Sequence, residues 1–162
     1  MDIFSHALLG AAVVNNKELL LPAFLFGAGP DLISGIPVWT ATIYRLRKEK
    51  KSWREIRRFF CDPHNWQSAP AWTHTFYIYL HSLLFAILLS WFIYYFYPPW
   101  LILMRAWFLH IILDIPTHKD WFAHKPFYPF SNRNFGLFNW FETPLLYLGV
   151  LISAVIFGLV YF

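Results

Sequence analysis

The sequence predicts an all-α integral membrane protein, a helical bundle built from two helical hairpins plus a C-terminal transmembrane helix. Three observations carry this. The chain is 58% hydrophobic and 22% aromatic with only 14% charged residues, more apolar surface than a water-soluble core of this size could enclose. Residues 75–97, 100–115 and 143–162 each reach or approach the roughly 17 to 25 helical residues that cross a hydrocarbon layer. Positive charge is bunched: residues 45–58 hold eight cations against Glu49 and Glu55, a net +6 where the whole chain carries +4. That asymmetry marks a cytoplasmic flank by the positive-inside rule and suits anionic lipid headgroups. No nucleic-acid reader motif accompanies the basic run, so no nucleic-acid partner is expected. With no linker and no repeat at solenoid spacing, residues 1–162 are expected to form one membrane-embedded domain.

The elements follow in order. Asp2 can cap a short helix through Val14, and its neighbours lack the basic region and cleavage site of a signal peptide, so the start is read as part of the mature fold. About thirteen residues are too few to span. Asn15-Asn16 makes a turn, and residues 18–36 form a second apolar helix, expected to break near Gly27-Ala28-Gly29-Pro30-Asp31. Ser52-Trp53-Arg54-Glu55 is a capping box that opens an amphipathic turn, with Trp53, Ile56, Phe59 and Phe60 opposed to the arginines, as suits an element lying among headgroups. Lone Cys61 can form no internal disulfide. Residues 75–97 are interrupted only by His81, and Pro98-Pro99 turns them into 100–115, the second hairpin. The loop 116–141 is too polar to span and too aromatic for solvent-exposed disorder. Thr143-Pro144 offers an N-cap and a first-turn proline to the uncharged C-terminal helix.

Ionisable residues inside these apolar stretches carry the chemistry, because each is costly to bury without a partner. His6 lies near the start of one helix and Asp31 near the expected end of its partner, far from the Asn15-Asn16 turn. His81, His110, Asp114 and His118 likewise lie far from Pro98-Pro99. All six therefore gather at the open ends of the hairpins, which share the cytoplasmic side. His110 and Asp114, four apart, fall on one helix face a turn apart and can address one ion. Pro116 argues against a helix continuous to His118, whose aim stays open. His74 and His81 are about 10.5 Å apart along a helix, so only His81 is taken. His64 and His124 fall in loops and are given no role. Arg105 points about 140° to 180° away from the His110–Asp114 pair and is expected to snorkel to the far headgroups. Imidazole and carboxylate donors without cysteine suit a divalent metal, zinc before manganese or iron, and a metal with open positions can lower the pKa of bound water to about 7. That chemistry is hydrolysis.

Five motifs in chain order sharpen this: Asp2-Ile3-Phe4-Ser5-His6-Ala7-Leu8; Gly29-Pro30-Asp31-Leu32; Leu80-His81-Ser82-Leu83-Leu84; His110-Ile111-Ile112-Leu113-Asp114-Ile115-Pro116-Thr117-His118; and Pro129-Phe130-Ser131. Together they resemble the YdjM-like family, described as membrane-bound metal-dependent hydrolases and distantly similar to the zinc-dependent phospholipase C and P1 nuclease group. The resemblance covers nearly the whole chain. It implies an inner-membrane, multi-pass hydrolase with His6, Asp31, His81, His110, Asp114 and, more weakly, His118 as metal ligands. The chain departs from the pattern at Leu80, where members often have Thr, and at Ile33, where a second Asp often follows. Ser131 and Arg133 could contact a phosphate, though a turn-forming loop explains the same residues better.

The expected function is hydrolysis of an ester or phosphoester, a membrane lipid among the candidates, with Asp31 or Asp114 doubling as general base. Two rivals stand beside it. A transporter or channel would spread polar groups through the membrane depth, whereas here they gather at one end. A non-catalytic scaffold would use the same ligands to lock helices together.

Overall fold

The computed structural model describes residues 2–62, 65, 69–139 and 145–162. Most of these residues are helical, and they contain no strand. In chain order the helices are α1 (Ile3–Val14), α2 (Leu20–Lys48), α3 (Trp53–Cys61), α4 (Ala71–Leu80), α5 (Leu83–Phe96), α6 (Met104–Thr117) and α7 (Leu145–Tyr161). A 3-10 turn, Pro98–Leu103, leads into α6.

Asp2 caps α1 as expected, its Oδ1 accepting from the amides of Phe4 and Ser5 at 3.0 and 2.9 Å. Asn15, at φ 48°, closes the helix in the left-handed conformation that asparagine tolerates. The expected break in the second helix does not occur. α2 runs unbroken for 29 residues through Pro30 and Pro37. A proline inside a helix removes a single intrahelical hydrogen bond, and neighbouring helices can make good the loss. Asp31 therefore lies within α2 and not near its end, with about 25 Å of helix beyond it to Lys48. The first hairpin is accordingly lopsided, one arm short and the other long enough to span.

Residues 75–97 are also not one straight helix. α4 and α5 meet at a 59° bend around His81 and Ser82, which caps α5 by accepting from the Phe85 amide. The α6 helix passes through Pro116 into its last turn, and the carbonyl of Pro116 accepts from Leu137 and Phe138. The capping box of α3 is present on both sides, Ser52 with Glu55. α7 carries no charged residue and is 17 residues long, and the expected cap at Thr143-Pro144 lies outside the described residues, as does His64.

By length and composition α2 and the Pro98–Thr117 segment can each cross a membrane, and α4 with α5 makes a third if the bent pair is one span. The core lies on two sides of α6. On one side Ala11, Val14 and Ala23 meet Leu103, Ala106 and Tyr161; on the other Ala86 and Ile93 meet Met104, Trp107 and Ile111. Tyr161 ties α7 to the end of α1, donating to the Ala11 carbonyl at 2.9 Å. The α1 and α2 backbones touch: a Cβ on Gly10 would come within 2.7 Å of the Gly27 Cα, and one on Gly27 would strike the carbonyl oxygen of His6. Only glycine permits that approach. It sets His6 against the middle of α2.

Candidate metal centre

Six histidines and aspartates singled out in the sequence come together. His6 sits one turn into α1, Asp31 in α2, His81 at the α4–α5 bend, His110 and Asp114 one turn apart on α6, and His118 just past its end. Asp114, wholly buried, is at the centre. Its Oδ1 lies 2.8 Å from His6 Nε2 and 3.3 Å from His118 Nδ1, and its Oδ2 lies 3.0 Å from His110 Nε2. Asp31 Oδ1 is 3.3 Å from His81 Nε2 and 3.8 Å from His110 Nε2. The His6 and His110 rings stack with centroids 3.7 Å apart.

The second nitrogen of two of these rings fixes what the first can do. His110 Nδ1 lies 2.7 Å from the Gly27 carbonyl, and His81 Nδ1 lies 2.8 Å from the Tyr77 carbonyl. A carbonyl only accepts, so each Nδ1 carries the hydrogen. In the neutral ring each Nε2 is then a bare lone pair, and both aim at carboxylate oxygens. Acceptors facing acceptors in a buried site repel unless a proton or a cation lies between them. Backbone carbonyls holding Nδ1–H are also how metal-binding imidazoles are usually oriented. One donor atom from each of Asp31, His81, His110 and Asp114 lies within 4.8 Å of the other three, a spacing open to a cation after small side-chain shifts. These buried His and Asp groups could hold a metal ion. His6 closes on Asp114 but lies outside this set, and its Nδ1 is buried without a hydrogen-bond partner.

The sequence reading missed His124. It is completely buried and returns from the loop after α6, with Nε2 in a hydrogen bond to the Tyr77 hydroxyl and 3.7 Å from Asp114 Oδ2. Its ring meets those of His81 and His118 at centroid distances of 4.5 and 4.6 Å. Asp114, His118 and His124 form a second group whose donor atoms lie within 4.8 Å of one another. Burial pushes the His124 imidazole well below its ordinary range and holds His118 down to about 3, against the opposing pull of Asp114, so both rings are neutral at neutral pH. The unusual aromatic content of the loop after α6 was the one signal that the part holding His124 folds inward. Arg105 is exposed beside Val13, Ser90 and Leu101, apart from the cluster. Ser131 accepts from the amide of Arg133 at 3.2 Å, the local turn that the alternative reading describes.

No family model, curated protein or solved structure matches this chain.

Proposed function

We propose that the protein is an inner-membrane, multi-pass, metal-dependent hydrolase of the YdjM-like kind, acting on an ester or phosphoester from the cytoplasmic side, with a lipid as the favoured substrate. The observation that carries this is the pair His81 and His110, each tied by Nδ1–H to a backbone carbonyl and each presenting Nε2 to a carboxylate. A divalent cation held by Asp31, His81, His110 and Asp114, zinc by the match of imidazole with carboxylate, would supply Lewis acidity and lower the pKa of water to about 7.

The protein's own groups divide the remaining work. His6 Nε2–H donates to Asp114 Oδ1 and fixes the carboxylate's orientation, which makes His6 a positioning residue. Asp31 is the one acid of the cluster that is partly open, its side chain 23% exposed, while Asp114 is sealed. Asp31 would therefore double as ligand and base, taking a proton from water on its open side, and Asp114 would serve as ligand alone.

Membrane embedding is supported by what surrounds the site. Ile87, Leu88, Trp91 and Phe92 on α5, and Leu148, Leu151, Val155 and Leu159 on α7, are exposed apolar faces that a water-soluble monomer would not keep. The basic flank has Arg47 over the Trp53 ring at 5.1 Å, a pairing suited to the headgroup layer. The partial opening at Asp31 favours an enzyme over a scaffold, since structural metal sites are closed and catalytic ones keep an open position.

The test pairs elemental analysis of detergent-purified protein with turnover of chromogenic phosphoesters and of lipid extracts. Bound zinc or manganese with hydrolysis lost in Asp31→Asn is expected. Protein that takes up neither metal and hydrolyses nothing returns the scaffold reading.

A further inference from the structure

The His110–Asp114 pair occupies one face of α6, and a different face of the same segment lines a groove. Leu101, Met104, Arg105, Phe108, Leu109 and Ile112 recur at the three-and-four spacing of a single helix face and border a cavity of about 450 Å³. Val13, at the end of α1, and Ser90, on α5, supply its other walls. We propose that this groove seats an acyl chain of an anionic phospholipid whose phosphate is held by Arg105. The site is separate from the metal centre and independent of the hydrolase reading; it rests on the membrane embedding alone.

The unpartnered charge is the first argument. Arg105 is exposed, and among the described residues it meets no carboxylate and no hydrogen-bond acceptor. An arginine in a membrane-spanning segment is ordinarily paired. Here its partner has to come from outside the chain. A guanidinium that snorkels to the headgroup layer finds lipid phosphates there, and its fork of N–H donors matches a phosphate with two parallel hydrogen bonds.

Depth is the second argument. Tyr94, Tyr95, Tyr97 and Trp100 are all exposed around the Pro98-Pro99 turn, the aromatic belt of a membrane interface. Arg105 follows that turn by about 13 Å of 3-10 and α-helical rise. Helical side chains lean toward the helix N-terminus, here back toward the turn. The cation therefore serves the headgroup level, while Phe108 and Ile112 lie about one and two turns deeper. Charge at the mouth with an apolar wall beneath it is the layout of a single phospholipid.

Shape and charge narrow the ligand. The cavity falls within the roughly 300 to 1,000 Å³ of ligand pockets. Leu101 and Ile112 stay exposed along it, so a chain can enter sideways from the bilayer. No acidic residue lines the groove. The cationic group of a zwitterionic headgroup finds no counter-charge there, whereas a headgroup with net negative charge leaves nothing unpaired.

The experiment uses the full chain in detergent, mixed with phosphatidylglycerol or with phosphatidylcholine of the same chain length, and counts retained lipids by native mass spectrometry. Wild type should retain a single phosphatidylglycerol and release phosphatidylcholine. Arg105→Gln should weaken phosphatidylglycerol retention about fivefold or more, the worth of one cation at an anionic headgroup. Ser90→Phe gives up only a hydrogen bond to the Ala86 carbonyl of its own helix and fills the groove, so it should lose the lipid with Arg105 intact. Any further lipid held by the basic flank of residues 45–58 should be the same in both variants. Circular dichroism shows which variant has kept its helices. Either folded variant that holds phosphatidylglycerol as wild type does overturns the site. So does wild type that retains both lipids alike, retains neither, or covers the groove by forming a dimer, whatever the variants do.

Discussion

A carboxylate with no solvent exposure has to meet its charge among its neighbours, and for Asp114 those neighbours are imidazoles. Replacing it by Asn keeps the shape and removes the charge. Asp114→Asn and His110→Ala should each abolish metal binding and hydrolysis while the protein still inserts and stays helical, checked by elemental analysis, turnover and circular dichroism. His6→Ala should act more mildly, weakening metal affinity about 10- to 100-fold, as loss of an orienting partner does. A loss as complete as that of His110→Ala would make His6 a ligand. Arg105→Lys should leave activity intact, because an exposed arginine among apolar groups needs only a long cationic side chain. Much of this residue-level picture was legible in the sequence, since His110 and Asp114 are one helical turn apart and an intramembrane charge is itself a signal. His124 was not legible. A loop residue has no periodicity to give its direction, and only tertiary contact with Tyr77 shows that it turns inward.

Helices fix the positions of these side chains, and the decisive contacts are between backbones. The Gly27 carbonyl receives His110 Nδ1, and its missing side chain lets α1 reach α2 beside His6. Gly27→Val should force the two apart, costing about 1 to 3 kcal/mol as overpacking does. It should also lower metal affinity without removing any ligand. Thermal unfolding in detergent and metal titration check both effects; unchanged affinity would separate the glycine contact from the site. Helix breaks were the least legible feature of the sequence. The second helix was expected to break near Pro30 and does not, whereas His81, with no proline or glycine beside it, marks a 59° bend. Ser82 explains the second case, because its side chain caps α5 and so starts a new helix where a continuous one was expected. Local propensity weighs single residues, while these outcomes depend on which neighbouring helix supplies the lost hydrogen bonds.

At the scale of the whole molecule, the apolar stretches and the basic flank were legible because lipid imposes length and charge rules on sequence directly. The depth of the site was not, because it depends on α2 continuing about 25 Å past Asp31, well above the cluster. In the membrane topology proposed here, α4 and α5 enter as one bent span and the Pro98–Thr117 segment returns, with the Pro98-Pro99 turn on the far side. The basic flank before α4 and the loop after α6 must then share the cytoplasmic side, and substrate must approach Asp31 from there. Lys50 and Arg133, both exposed, report on the two segments. In a Cys61→Ser background, cysteines placed singly at Lys50 and Arg133 should both resist a membrane-impermeant maleimide in intact cells and both react in inverted vesicles. A cysteine at Tyr97, exposed beside the far turn, should show the opposite pattern. Reaction at Arg133 with protection at Lys50 would mean that the α4–α5 pair and α6 do not form an entering and returning hairpin. The histidines of α6 and its loop would then enter the bundle from the opposite side to the basic flank, and a cytoplasmic substrate could not reach them.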